Sequence, residues 1–181
     1  AVGAAEGGGP VNALDPNFEL PSEWKFALGT VVDYDSGHPL LGDNWRFMAD
    51  ILYSKTNEAA IAVPISWVQT DTAPDGRPIY GTGNTNDFLL TNTKEKGDAL
   101  VLSVGVSKEY DNGIDWSLGY AYTDADDVNP MTSSVAFSNF SNFTTSDAVN
   151  PDLGTSDYEI AHRINLTVNW EKEFFKGLYT K

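Results

Sequence analysis

The segment IDWSLGYAYT, residues 114–123, decides the fold class of this chain, because large apolar side chains occupy every second position. Successive side chains of a β-strand point to opposite faces, so the alternation predicts a strand with one apolar and one polar face. The apolar face is Ile114, Trp116, Leu118, Tyr120 and Tyr122, opposite Asp115, Ser117, Gly119, Ala121 and Thr123.

The same alternation recurs in residues 23–34, 45–55, 99–110 and 158–171, which gives five predicted strands. Each reaches the roughly 9–11 residues that a tilted strand needs to cross a bilayer. A further strand is predicted to begin at Leu178. Strands of soluble β-sandwiches alternate as well, so alternation alone leaves a soluble sheet and a membrane barrel as alternatives.

Connection lengths and aromatic residues favour the membrane barrel. Short connections at 35–44, 111–113 and 174–177 alternate with long ones at 56–98 and 124–157, and outer-membrane barrels combine short periplasmic turns with long extracellular loops. Aromatic side chains on the apolar faces fall near the predicted strand ends, as in the girdles at the two membrane interfaces. They are Trp24, Tyr34, Trp45, Tyr53, Tyr110, Trp116, Tyr122, Tyr158 and Trp170.

These observations predict an all-β chain, an antiparallel up-and-down transmembrane β-barrel segment with about five to six strands of a larger barrel. Residues 1–181 are expected to form one partial outer-membrane β-barrel domain, located in the cell outer membrane and in contact with its lipid. Residues 1–10 lack the charged start and apolar core of a signal peptide.

Composition excludes several classes of function. A net charge of −15 with only 11 Lys and Arg residues argues against a nucleic-acid partner, which requires clustered basic side chains. With no cysteine, thiolate metal sites and cysteine nucleophiles are impossible. No phosphate-binding loop or metal-ligating pair of histidines occurs, so no cofactor is expected. Neither His38 nor His162 has an evident nucleophile beside it, and the chain is predicted not to be an enzyme.

Several phrases resemble the TonB-dependent receptors, and within them the Oar-like branch that carries a carboxypeptidase-regulatory-like domain. They occur in family order between residues 12 and 175 and are DPNFELPSEWKF (15–26), TAPDGRPIY (72–80), FLLTNT (88–93), YAY (120–122) and NPDLGTSDYEIAHR (150–163). The resemblance implies a 22-stranded barrel with an internal plug that takes up a scarce small solute, using energy delivered by the TonB complex. It further implies that the plug and the TonB-contacting segment lie outside this chain. A passive porin, a surface adhesin and an outer-membrane hydrolase remain alternatives.

The predicted lumen face carries the charged side chains that a substrate path requires. The candidates are Lys25, Arg46, Asp50, Glu159 and Arg163, of which Arg46 and Arg163 suit an anionic solute, because guanidinium binds carboxylate and phosphate in bidentate fashion. Charge pairing and simple solvation of the wall are the alternative explanation. On the apolar face, Lys108 and His162 lie near strand ends, where their side chains are expected to reach the headgroups.

The two long connections offer weaker candidates. Asp124, Asp126 and Asp127 open the connection 124–157 and supply the hard oxygen ligands that calcium prefers, although the EF-hand spacing is absent; a solvated acidic loop is the alternative. Aromatic residues of the loops are expected either to hold a ligand or to pack the loops together. They are Trp67, Tyr80, Phe88, Phe137, Phe140 and Phe143.

Overall fold

A computed structural model of the chain describes residues 11–81 and 86–172. The strand expected from Leu178 and the short turn 174–177 lie outside the described residues. In the part described, the chain is all-β with mainly antiparallel strand pairs and one short helix. No helix in these two ranges has the length and apolar character that crossing a membrane requires.

The elements of the described residues begin with a short strand and end with a long one. In chain order they are β1 (Asn12–Leu14), β2 (Ser22–Tyr34), β3 (Trp45–Glu58), β4 (Ala60–Pro64), β5 (Val68–Thr72), β6 (Pro78–Gly81), β7 (Phe88–Asn92), β8 (Asp98–Glu109), β9 (Ile114–Asp127), α1 (Ala136–Ser141), β10 (Gly154–Thr155) and β11 (His162–Trp170). All five strands predicted from alternation are present as long strands of one sheet.

The large sheet has the order β10-β9-β8-β3-β2, and β11 also pairs with β9. Its long strands neighbour one another in chain order, and short connections join β2 to β3 and β8 to β9, as predicted. The β8–β9 turn is closed by the Tyr110 amide, which donates to the Ile114 carbonyl at 2.9 Å. Gly113 adopts a φ of +80° in this turn, a conformation that side chains disfavour.

The last predicted strand, 158–171, is shorter in the structure, because two strands share one edge of β9. Strand β11 pairs with β9 from His162↔Tyr122 to Trp170↔Ile114, whereas β10 pairs with the far end of β9 through Gly154↔Asp127. Residues 156–161 connect these two pairings. Tyr158 and Glu159, expected at the start of a strand, therefore lie in a connection.

The described residues form two compact units. The strand unit comprises residues 25–53, 99–124 and 159–172, and the loop unit comprises residues 11–24, 54–81, 86–98 and 125–158.

The loop unit contains secondary structure that alternation did not predict. Strand β7 pairs antiparallel with β4 and parallel with β1, with Asn12 opposite Phe88. Strands β5 and β6 form a separate antiparallel pair. The segments 56–98 and 124–157, expected to be long loops, thus carry short strands and α1, and the parallel β1–β7 pair departs from the antiparallel expectation.

The buried apolar side chains of the described residues lie in the loop unit. Ile61, Ala62, Phe88 and Val128 are all less than 8% exposed. The apolar face of the strand unit is different, since Leu28 is 63% exposed, Leu118 41% and Leu166 66%. The long strands therefore do not enclose their own apolar side chains.

Candidate functional site

The polar face of the strand unit borders a cavity of about 630 Å³. Strand alternation brings Asp33 of β2, Arg46 of β3, Ser107 of β8 and Asp115 and Ser117 of β9 to its wall. A row of strands each presenting every second side chain to one face makes a continuous polar surface. The wall also includes atoms of Trp45, Lys108 and Trp116, which alternation assigns to the apolar face, so polar-face side chains do not form it alone.

Arg46 is paired across the sheet with Asp33. Its Nε donates to Asp33 Oδ1 at 2.7 Å, and its Nη2 donates to Asp33 Oδ2 at 3.2 Å. The two side chains are 56% and 67% exposed. Because this bidentate pair uses the Nε–Nη2 edge of the guanidinium, a solute carboxylate or phosphate would compete with Asp33 for that edge.

Asp50 lies further along β3 and points over Gly29 of β2. Ser103 of β8 donates its hydroxyl to Asp50 Oδ2 at 3.3 Å. A Cβ on Gly29 would overlap Asp50 Oδ1, so the missing side chain of Gly29 gives the carboxylate its place. Sequence alternation assigned all three residues to the polar face without predicting that they meet.

Strands β9 and β11 add a further polar pair and a separate arginine. The Asn169 amide donates to Asp115 Oδ2 at 2.8 Å, and these two residues are direct cross-strand neighbours. Arg163 lies opposite Ala121 on the same face, and within residues 11–81 and 86–172 it forms no ion pair. Of the two arginines predicted to bind an anion, the structure thus leaves Arg163 the more accessible.

Of the five residues predicted to face the lumen, Arg46 lines this cavity and the other four do not. Lys25 lies on β2 and Asp50 on β3, Arg163 lies on β11, and Glu159 precedes that strand. Alternation could not predict this separation, because it assigns residues to a face without fixing how far apart they lie along the strands.

The side chain of Lys108 does not extend outward in the way that its position near a strand end predicts. It is only 3% exposed, and its Nζ donates to the backbone carbonyl of Asp43. The same ammonium lies 5.2 Å from the Trp45 ring centroid and 4.9 Å from that of Tyr110. Aromatic faces attract cations, so Lys108 folds beneath these two rings instead of extending outward.

His162 packs against two tyrosines. Its ring stacks on Tyr120 at a centroid distance of 6.1 Å, and the Tyr122 ring is 5.5 Å away. The Tyr120 hydroxyl is hydrogen-bonded to His162 Nδ1 at 2.9 Å. His162 therefore has two tyrosine rings as neighbours, and the Tyr120 hydroxyl is its hydrogen-bond partner.

The three calcium candidates occupy a strand, and the prediction that placed them on a loop is wrong. Asp124, Asp126 and Asp127 are among the last residues of β9, where alternation directs Asp127 to the opposite face from the other two. Asp127 Oδ2 accepts a hydrogen bond from the Ser156 hydroxyl. Across the two described ranges, no three acidic, histidine or cysteine side chains are grouped so as to hold a metal ion.

The loop aromatics pack against one another. Phe88 lies 5.3 Å from Phe140, and Trp67 meets Phe140 edge-on at 5.2 Å and Tyr80 at 6.2 Å. Phe137 completes the cluster against Phe88 at 6.4 Å. For these five residues the contacts favour mutual packing, whereas Phe143 lines a cavity together with Thr144 and Leu153.

One polar pair ties this aromatic cluster to the last loop. The Tyr80 hydroxyl donates to Asp147 Oδ1 at 2.6 Å, and the amides of Val149 and Asn150 donate to the same oxygen at 2.9 Å. Burial and the neighbouring carboxylate raise the pKa of Tyr80 to about 12. Burial opposes ionisation of Asp147, but the hydrogen bonds outweigh it and lower the pKa of that carboxyl.

Comparison of the chain with family models, with curated proteins and with solved structures found no match. Its function is therefore inferred from the two faces of the large sheet, one polar and one apolar. The sorting of side chains between these faces is the most informative geometric feature of the described residues.

Proposed function

We propose that this chain is part of an outer-membrane β-barrel of the TonB-dependent receptor type, and that the whole protein carries a scarce solute across the outer membrane with energy supplied through TonB. The observation that supports this most strongly is the exposed apolar face of the long strands. Trp24, Leu28, Leu102, Leu118 and Leu166 belong to the predicted lipid-facing positions, and each is at least 39% exposed.

A soluble sheet protein would bury such a face against a second layer. Large contiguous apolar surfaces on soluble proteins are rare and mark contact with a partner or a membrane. The aromatic residues at the strand ends favour the membrane, because Trp and Tyr concentrate at its two interfaces. Trp45 and Trp116, for example, pack edge to face at 6.0 Å near the short turns.

The polar face is the proposed wall of the solute path. Arg46 is neutralised by Asp33, whereas Asp50 and Asp115 accept hydrogen bonds from neutral groups. Arg163 is the arginine of this face that forms no ion pair within the described residues. A wall with such open hydrogen-bonding groups can contact a polar solute during its passage. The passive porin alternative uses the same wall and differs in its source of energy.

Lipid exposure can be tested with adjacent cysteines on opposite faces, because the natural chain has none. Leu118→Cys and Leu166→Cys probe the apolar face, and Ser117→Cys and Thr167→Cys are their matched neighbours on the polar face. After reconstitution and labelling with a fluorophore, brominated acyl chains should quench the first two labels and aqueous iodide the other two. Equal quenching of all four labels would remove the basis of the proposal.

Energised transport needs a separate test in cells that express the complete protein. Uptake of the transported solute should be lost when TonB is deleted and restored when TonB is supplied again. Uptake that persists without TonB would indicate a passive porin. A chain that inserts into lipid but shows no transport in either background would favour the adhesin.

A further inference from the structure

The connection between β2 and β3, residues 35–44, presents two neighbouring leucines to the exterior. Leu40 is 89% exposed and Leu41 is 55% exposed. Isolated exposed leucines are ordinary on protein surfaces, but an adjacent pair at the tip of a turn is a compact apolar projection. Turns of this kind are usually composed of polar residues.

The turn is held in one conformation by its own polar groups. The Asn44 amide donates to Asp35 Oδ1 at 2.9 Å, and the Gly37 amide donates to Asp43 Oδ1 at 2.8 Å. The Ser36 hydroxyl donates to the Gly42 carbonyl at 2.6 Å. Both acidic side chains of the turn are thus engaged by its own backbone amides. The leucines are exposed at the tip together with His38 and Pro39.

The leucine pair is continuous with an aromatic cluster on the apolar side of the sheet. The Trp45 indole donates to the Leu41 carbonyl at 3.1 Å, and Trp45 also contacts Trp116 and the buried Lys108 ammonium. Trp and Tyr side chains are concentrated at the boundary between headgroups and acyl chains. The turn therefore extends this surface by two wholly apolar side chains.

We propose that Leu40 and Leu41 insert into the lipid interface beside Trp45, so that the β2–β3 turn anchors this end of the sheet in the bilayer. The inference rests on the proposed membrane function and adds a lipid-contacting segment outside the strands. A protein partner fits less well, because two leucines and an indole offer far less than the roughly 1,200 Å² that a stable interface buries.

Single cysteines read out this contact directly. Leu40→Cys places the label in the proposed anchor. Asp111→Cys is the matched control in the β8–β9 turn, which has no apolar residues at its tip. Leu118→Cys reports insertion of the strands themselves. The protein is reconstituted into vesicles of phosphatidylethanolamine and phosphatidylglycerol, with brominated lipid as quencher, and folding of each variant is checked by circular dichroism.

We expect the label at position 40 to be quenched by brominated lipid and shielded from iodide, and the label at position 111 to show the reverse. If the labels at positions 40 and 111 behave alike while the label at position 118 is quenched by lipid, the turn does not anchor the sheet. The proposed membrane function would still stand in that case. If the label at 118 is not quenched either, both proposals fail. If the label at position 40 is shielded from iodide in detergent and the protein self-associates in sedimentation, the partner of the leucines is a second copy of the chain. That result would overturn the inference.

Discussion

Tyr80 and Asp147 join two segments of the loop unit that lie 67 residues apart in sequence. Replacement of Tyr80 by Phe removes the hydroxyl donor and leaves a half-buried carboxylate with one partner fewer. We expect the free energy of unfolding to fall by about 1 kcal/mol, measured by urea denaturation followed by tryptophan fluorescence. Tyr34→Phe, at an exposed tyrosine, is the control and should change the midpoint very little.

The same pair predicts an acid-sensitive loop unit. The folded-state pKa of Asp147 lies below its ordinary value of 3.8, so its contribution to stability is complete above that value and is lost as the pH falls through the lowered one. Unfolding midpoints should therefore drop below about pH 4 in the natural protein. Asp147→Asn should flatten that dependence, and an unchanged profile would show that other carboxylates dominate.

Phe88 is the residue on which packing of the loop unit depends most, because it is 2% exposed and contacts both Phe137 and Phe140. Phe88→Ala should lower the free energy of unfolding by about 3–5 kcal/mol, through lost transfer energy and the cavity left behind. Phe26, which is 56% exposed on β2, provides the control. Phe26→Ala should cost under about 1 kcal/mol in detergent solution, and near-equal losses would contradict the burial pattern.

Alternation of apolar residues located the five long strands, and the predicted ends differ from the observed ends by only a few residues. It missed β4 to β7 because these strands are only four or five residues long, too short for a period of two to stand out. It missed β10 because a two-residue strand forms only where β9 already offers an edge. The pairs Arg46–Asp33 and Asp115–Asn169 depend on register between strands, which a single strand's pattern does not contain.

Gly97 lies where the chain entering β8 passes close to the backbone of β9. It immediately precedes β8, and a Cβ there would overlap the Asp126 backbone of β9. Because backbone cannot move aside as a flexible side chain can, Gly97→Ala should destabilise the protein by about 1–3 kcal/mol. Gly154→Ala, where a Cβ meets nothing within 4 Å, is the matched control, measured by thermal unfolding of both variants.

The distribution of apolar surface over the described residues predicts how the chain behaves in solution. The sequence alone indicated which side chains share a face, but their exposure became evident only from the structure. A protein with Leu28, Leu118 and Leu166 exposed should associate in plain buffer and become monodisperse in a mild detergent. Sedimentation velocity in the two conditions tests this, and a stable monomer without detergent would argue for a soluble protein.

Lys108 offers a chemical signature of the native fold. Amine-acylating reagents attack lysine side chains that they can reach, and in this protein Lys108 Nζ is covered by an indole and a phenol ring and hydrogen-bonded to a carbonyl. Brief acylation followed by peptide mass spectrometry should therefore leave Lys108 unmodified while solvent-exposed amines react. Its labelling kinetics would report the integrity of this end of the sheet in detergent, in vesicles or in whole cells.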